Sequence, residues 1–213
     1  MKSRSSEHNL DAAEPNGHAA PSWLGHLAHQ EQMASEVWAW EPFVVHGLLQ
    51  TAEYAAAVEH TDPDPIGDDE VSRRVETRLA RQGALDRSPD PLGLSVVLDE
   101  SVLTRVAGGR DVMADQLRHL VEIADRPNID LRVLPLDAGG FAAAFGAFSV
   151  LTSGDSRQPS LVYTKDRIEP HYIDDSRPHD LGRHVALFEH LACAALSPSD
   201  STDLISDTAK DYL

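Results

Sequence analysis

The chain has 213 residues, of which 41% are hydrophobic, and its formal net charge at pH 7 is −17. This apolar fraction supports a packed core and excludes wholesale disorder, whereas the acidic charge opposes direct binding to nucleic acid. The single cysteine, Cys193, excludes an internal disulfide framework and predicts a reducing, cytoplasmic location, and the lack of a long apolar run excludes a transmembrane helix.

The N-terminal part of the chain is predicted to hold a tail and two helices. Residues 1–21 are polar, lack periodicity and are expected to be disordered, and residues 22–213 are expected to form a single domain. A first helix is expected to begin at Ser22 and to continue through Trp38, until Pro42 interrupts it. Thr51 is the expected N-cap of a second helix.

The middle of the chain is predicted to contain both helices and strands. A third helix is expected to begin at Asp68 or Asp69, and the apolar segment 94–98 predicts a buried strand. Apolar residues at helical spacing predict a helix over about 111–125, and the alternating segment 129–134 predicts a second strand.

Three further strands are predicted near residues 146–152, 160–165 and 170–173, with turn residues between the first two. A long helix over about 179–195 follows, and Ser197-Pro198 is expected to begin the last helix. This order predicts an α+β fold in which a mixed β-sheet of about five strands packs with N-terminal and C-terminal helices.

Two groups of polar side chains are candidates for binding. Asp99 and Glu100 stand at the end of a predicted strand, where ligand sites open in α/β sheets. They either bind a cation, act as a general base or pair with an arginine, or they cap the next helix. Arg78, Arg81 and Gln82 form either a solvated helix face or a fork that binds a carboxylate and faces Glu100.

An aromatic loop is the third candidate, since Phe141, Phe145 and Phe148 cluster beside Gly139, Gly140 and Gly146. Such a loop either closes over an apolar pocket or is anchored to the core by its aromatic rings. His26 and His29 are spaced like a metal-binding pair, but no acidic or cysteine ligand lies at a diagnostic interval. Because phosphate-binding and hydrolase motifs are also missing from the sequence, no metal and no cofactor is predicted.

Several short motifs follow one another along the chain. They are Gly47-Leu48-Leu49-Gln50-Thr51, Arg78-Leu79-Ala80-Arg81-Gln82, Val97-Leu98-Asp99-Glu100-Ser101, Val133-Leu134-Pro135, Gly146-Ala147-Phe148, Val162-Tyr163 and Ala195-Leu196-Ser197-Pro198. In this set the chain resembles the C-terminal effector domain of the WhiJ-like, Scr-type antitoxin-like transcriptional regulators of actinomycetes. The resemblance covers roughly residues 31–206.

The resemblance implies a regulator whose C-terminal part binds a ligand or a small acidic partner protein, and it brings no established catalytic residues. Such regulators usually carry an N-terminal helix-turn-helix of the Xre type, for which the residues before Ser22 are too few. His46 stands where the family usually has proline, and Thr164-Lys165 replaces an expected acidic residue. Both departures fall where a pocket could lie.

Two functions are open at this stage. The first is a regulatory module that binds a small molecule or a partner protein, is homodimeric and contacts neither DNA nor membrane. The alternative is a cofactor-free natural-product enzyme, a cyclase or isomerase that folds a polyketide-like substrate in an apolar pocket.

In either case, the pocket is expected between the end of strand 94–98, the arginine-bearing helix and the aromatic loop. Its candidate residues are His46, Gln50, Arg78, Arg81, Gln82, Glu100, Phe141, Phe145, Tyr163 and Lys165.

Overall fold

The computed structural model describes residues 22–61, 66–138, 145–153, 158–165 and 170–213. Its helices are α1 (Ser22–Met33), α2 (Ala52–Glu59), α3 (Asp68–Gln82), α4 (Ser101–Thr104), α5 (Arg110–Ala124), α6 (Pro178–Ala194) and α7 (Pro198–Lys210). Its strands are β1 (Ala34–Glu41), β2 (Gly93–Asp99), β3 (Ile129–Leu134), β4 (Phe148–Ser153), β5 (Pro159–Lys165) and β6 (Pro170–Asp174). The predicted N-terminal tail lies outside the described residues.

The strands form a mixed sheet in the order β3-β2-β1-β4-β5-β6. Strand β1 is parallel to β2, and β2 is parallel to β3. Strand β4 runs antiparallel to β1, and the antiparallel pairing continues through β5 and β6. The α+β class with a mixed sheet is confirmed. The described sheet has six strands instead of about five, because the segment that forms β1 is predicted as helix from the sequence.

Strand β1 shows that the prediction of a first helix through Trp38 is wrong. The helix ends at Met33, and Ala34 begins the strand. On one face of the sheet Val37 enters the larger core, and on the other face Trp40 enters a second core. A strand that is buried on both faces has no polar alternation, so its apolar run resembles that of a buried helix.

Helices cover both faces of the sheet. The larger core joins Leu131 of β3 to Leu117 of α5 and Ile205 of α7. On the opposite face, Trp40 of β1 packs with Leu191 of α6. The sheet is therefore a middle layer, and the removal of apolar side chains from water on both of its faces stabilises the fold.

The predicted helix starts agree with the structure. Thr51 Oγ1 accepts a hydrogen bond from the backbone N–H of Tyr54 at 3.3 Å, and Ser197 Oγ accepts one from Asp200 at 3.2 Å. Both hydroxyls therefore cap their helices as expected. Among the described residues, no helix is both long enough and apolar enough to cross a bilayer.

Candidate functional site

A cavity lies at the carboxyl end of β1, where the sheet changes from parallel to antiparallel pairing. Strand β2 lies parallel to β1 on one side, and β4 lies antiparallel to it on the other. In open α/β sheets the crevice for a ligand forms where the strand order reverses. The cavity has a volume of about 40 Å³. Its lining residues are Leu27, Glu31, Glu41, Val44, Val45, His46, Gly47, Gln50, Arg78, Arg81, Ala147, Phe148, Ser149 and Tyr163.

This cavity does not lie at the end of β2, where the pocket is predicted from the sequence. Asp99 Oδ1 accepts a hydrogen bond at 2.9 Å from the backbone N–H of Ser101, the first residue of the short helix α4. Glu100 Oε2 accepts one from the N–H of Leu136 at 2.8 Å, and so fastens the segment that follows β3. Neither carboxylate lines the cavity. The cavity lies one strand away, because β1, the strand that sequence reasoning missed, separates β2 from β4.

Arg81 binds a carboxylate as a fork, but the carboxylate belongs to Glu31 of α1 and not to Glu100. The Nε and Nη2 atoms of Arg81 each donate to a different oxygen of Glu31, both at 2.7 Å. Arg81 is 8% exposed and Glu31 is 2% exposed. Burial opposes the charge of Arg81, but the hydrogen bonds and the negative charge of Glu31 outweigh it, so the pKa of Arg81 lies above its usual value.

Arg78 lies one turn earlier on α3 and is also buried. Its Nη1 donates to Gln50 Oε1 at 2.8 Å, and its Nη2 donates to Glu59 of α2. Burial lowers the pKa of Arg78 below its usual value, although the neighbouring Glu59 partly compensates. Gln82 donates from Nε2 to the carbonyl oxygen of Gln50 at 2.8 Å and does not line the cavity. The solvated helix face is therefore excluded for both arginines.

The turn between β1 and α2 supplies the backbone wall of the cavity. Gln50 Nε2 donates to the Val45 carbonyl at 2.6 Å, which joins the two ends of the turn. A Cβ on Gly47 would lie 3.7 Å from two guanidinium nitrogens of Arg81, so the turn passes directly against that side chain. The positive charge of Arg81 is thus held between the turn and Glu31.

Gln116 of α5, for which the sequence predicts no role in the site, fixes this turn from the other side. Its Oε1 accepts from the backbone N–H of Thr51 and its Nε2 donates to the Leu49 carbonyl, both at 2.8 Å. The side chain is fully buried. Helix α5 therefore sets the position of the cavity wall without lining the cavity itself.

Sheet residues form another side of the cavity. Ser149 of β4 and Tyr163 of β5 are paired neighbours, and Tyr163 is in turn paired with Tyr172 of β6. Burial raises the pKa of the Tyr163 hydroxyl far above its usual value, so this group stays protonated and can donate a hydrogen bond. His46 and Glu41 both line the cavity, and His46 Nε2 lies 4.0 Å from a carboxylate oxygen of Glu41.

The structure thus brings together some of the predicted residues and separates others. Those that line the cavity are His46, Gln50, Arg78, Arg81 and Tyr163. Phe145 does not line it and is 39% exposed, although its carbonyl accepts a hydrogen bond from Trp40 Nε1 at 3.3 Å. Lys165 ends β5 opposite Pro170. Phe141 lies outside the described residues.

Two carboxylates of the cavity, Glu31 and Glu41, were not predicted. Glu31 follows Leu27 by four residues, so both lie on one face of α1, and this spacing was the available signal. Glu41 falls at the end of the predicted first helix, so its position on the sheet depends on β1, a strand that the sequence does not predict.

In the described part of the chain, no group of three potential metal ligands occurs. His26 instead packs edge-on against Tyr172, with ring centroids 4.7 Å apart.

The arrangement is suited to binding a small polar molecule. A guanidinium fork recognises a planar oxyanion, and here Glu31 occupies the fork of Arg81. The protonated Tyr163 hydroxyl is a neutral group that can donate a hydrogen bond. In comparisons with known proteins, a family model described as a domain of unknown function (DUF5753) matches residues 24–207. No curated protein and no solved structure matches the chain.

Proposed function

The chain belongs to this family of unknown function, DUF5753, and from that premise we propose that it is a cytoplasmic regulatory module that binds a small polar molecule in the cavity at the end of β1. The resemblance to the effector domains of antitoxin-like actinomycete regulators supports a regulatory role. The single cysteine supports the cytoplasmic location.

The observation that carries this proposal is the burial of opposite charges around the cavity. Glu31, Glu41, Arg78 and Arg81 are each at most 8% exposed. Taking such groups out of water costs several kcal/mol per ion, and well-packed apolar side chains would often stabilise a fold as well or better. Stability alone therefore gives little reason for this set of residues, whereas recognition of a polar ligand requires charged groups held in fixed positions.

The alternative, a cofactor-free cyclase or isomerase, receives less support from the cavity. Pockets for drug-sized ligands have volumes of roughly 300–1,000 Å³ and mostly apolar linings. The cavity accommodates only the equivalent of a few water molecules, and its lining combines charged side chains such as Arg81 with apolar ones such as Leu27 and Phe148. A small ligand that fits between the arginines and the sheet agrees better with these dimensions.

The test begins with mass spectrometry of small molecules that co-purify with the native protein, followed by calorimetric titration of the molecule identified. Tyr163→Phe removes one hydroxyl and keeps the ring, and Arg81→Lys keeps the charge and removes the fork. We expect each variant to bind at least tenfold more weakly, which corresponds to about 1.4 kcal/mol.

Arg118→Ala is the matched control, because Arg118 pairs with Asp115 at an exposed position on α5. It should bind like the unmodified protein. A thermal unfolding scan of every variant separates lost affinity from lost fold. Unchanged affinity in folded Tyr163→Phe and Arg81→Lys would mean that the ligand binds elsewhere, and the proposal would fail.

A further inference from the structure

Helix α1 forms one wall of the cavity. Leu27 and Glu31 are the α1 side chains that line the cavity, and both are buried. Gly25, His29 and Met33, on other faces of the same helix, are exposed. Over residues 25–33, the helix therefore contacts the cavity through a narrow stripe of one apolar and one charged side chain.

Glu31 occupies the position that a ligand carboxylate would take. Its two oxygens accept from Nε and Nη2 of Arg81 at 2.7 Å each, in the parallel geometry by which guanidinium groups recognise free carboxylates. The cavity thus holds a complete carboxylate-binding fork, Arg81, and this fork is occupied by Glu31 of α1.

The attachment of α1 at its C-terminal end is separate from this pair. Arg87 donates from Nη1 to the Gln32 carbonyl at 2.6 Å and from Nη2 to the Ala34 carbonyl at 3.0 Å. These bonds hold the junction between α1 and β1 and do not involve Glu31 or Leu27. The end of α1 and the start of β1 are therefore held by contacts that do not depend on the Glu31–Arg81 pair.

We propose that the ligand of this cavity carries a carboxylate, which replaces Glu31 on Arg81 and thereby releases α1. This inference rests on the proposed function, since it names the ligand class and the response of the same cavity. Exchange of one carboxylate for another conserves both charge-assisted hydrogen bonds of Arg81, so the buried cation has a carboxylate partner before and after the exchange. The exchange loses the burial of Leu27, and contacts of the rest of the ligand with Tyr163 and Ser149 would offset that loss.

The first test is replacement of the missing carboxylate by acetate. In Glu31→Ala, the fork of Arg81 is vacant, and we expect acetate to raise the unfolding temperature in a saturable way. Acetamide, which has the same shape without the charge, and sodium chloride at matched ionic strength should not do so. Asp86→Ala is the control, because Asp86 pairs with Arg126 at 2.6 Å and its side chain is 71% exposed. Equal acetate effects in both variants, or no saturable effect in either, would overturn the proposal.

The second test measures amide hydrogen exchange in α1. Residues 25–33 of Glu31→Gln, which keeps the side-chain shape but lacks the charge, should exchange at least tenfold faster than in the unmodified protein. Residues 94–98 of β2 should keep their protection. This measurement applies even where Glu31→Ala does not fold, and unchanged exchange in α1 would overturn the proposal.

The two proposals can fail separately. A co-purifying molecule without a carboxylate that requires Tyr163 for binding would support the proposed function and overturn the carboxylate assignment. A carboxylate whose binding is insensitive to Tyr163→Phe and Arg81→Lys would overturn the proposed function itself.

Discussion

Gln116 shows how a single buried amide can position a site that it does not line. It is fully buried, and its two hydrogen bonds hold both sides of the turn at Leu49 and Thr51. A buried backbone group that loses its hydrogen-bond partner has been removed from water without any compensating hydrogen bond, which destabilises the folded state. The position of the cavity wall therefore depends on a residue of another helix.

Gln116→Leu should accordingly destabilise the protein by about 2–4 kcal/mol, because a backbone N–H and a carbonyl would both lose their partner. The free energy of unfolding in urea measures the change. Gln32→Leu, at an exposed position on α1, is the control and should stay within about 0.5 kcal/mol of the unmodified protein. A similarly small loss for Gln116→Leu would show that water replaces the amide.

His119 of α5 is a second polar side chain with an unusual environment, since its Nε2 is buried and has no hydrogen-bond partner among the described residues. Burial lowers the pKa of His119 below its usual value, although Glu122 partly opposes this shift. The unfolded chain then binds a proton more readily than the folded one. Stability is therefore lost as the pH falls below about 6.5, the usual value for histidine.

His119→Leu should reduce the loss of stability between about pH 7.5 and 5, as measured by unfolding in urea across that range. His60→Leu is a control with the opposite sign. The pKa of the exposed His60 is raised by a hydrogen bond to the Ala56 carbonyl and by Asp68, so its protonation favours the folded state at low pH. The substitution His60→Leu should therefore increase the loss of stability on acidification. Identical pH profiles for the unmodified protein and His119→Leu would contradict the assignment.

Among the elements, the outer edge of β3 is closed by the segment that leads into α7. The Val133 carbonyl accepts from the N–H of Leu196 at 2.9 Å, and the Val133 N–H donates to Ser201 Oγ at 2.9 Å. An open edge strand is a template for pairing with another chain. Ser197, the cap of α7, begins the helix one turn before Ser201, and so helps to place that hydroxyl at the edge.

Ser201→Ala should destabilise the protein by about 1–3 kcal/mol, because the buried Val133 N–H loses its acceptor. The same substitution should accelerate hydrogen exchange of the Val133 amide, which nuclear magnetic resonance can follow. Thr202→Ala is the neighbouring control, since the Thr202 hydroxyl donates to the Pro198 carbonyl of its own helix. Equal effects of the two substitutions would argue against a role for Ser201 at the edge.

For the molecule as a whole, charge dominates the expected behaviour towards other macromolecules. The net charge of −17 repels the phosphate backbone. We expect no saturable DNA binding in fluorescence anisotropy at physiological salt. A sequence-specific complex that survives competitor DNA would contradict this prediction.

Much of the element order was predictable because local signals carry it. The amphipathic spacing of α5 and the hydroxyl caps Thr51 and Ser197 depend on neighbours in the chain, and the structure places them within a few residues of the prediction. The segment 34–41 carries no such signal. Its apolar run fits a helix or a buried strand equally, and pairing with β2 and β4 makes it a strand.

Local signals were enough to predict the fold class and the helix starts, because composition, periodicity and capping act over a few residues. They left Arg78 and Arg81 open between a solvated helix face and a carboxylate-binding fork. They could not predict which carboxylate meets Arg81. Glu31 lies 50 residues away in the chain, and Glu100 would have matched it equally in charge. Electrostatic attraction does not distinguish between carboxylates along a sequence. The selection depends on long-range packing, since the central place of β1 in the sheet sets α1 against α3, while Glu100 is bound to the segment after β3.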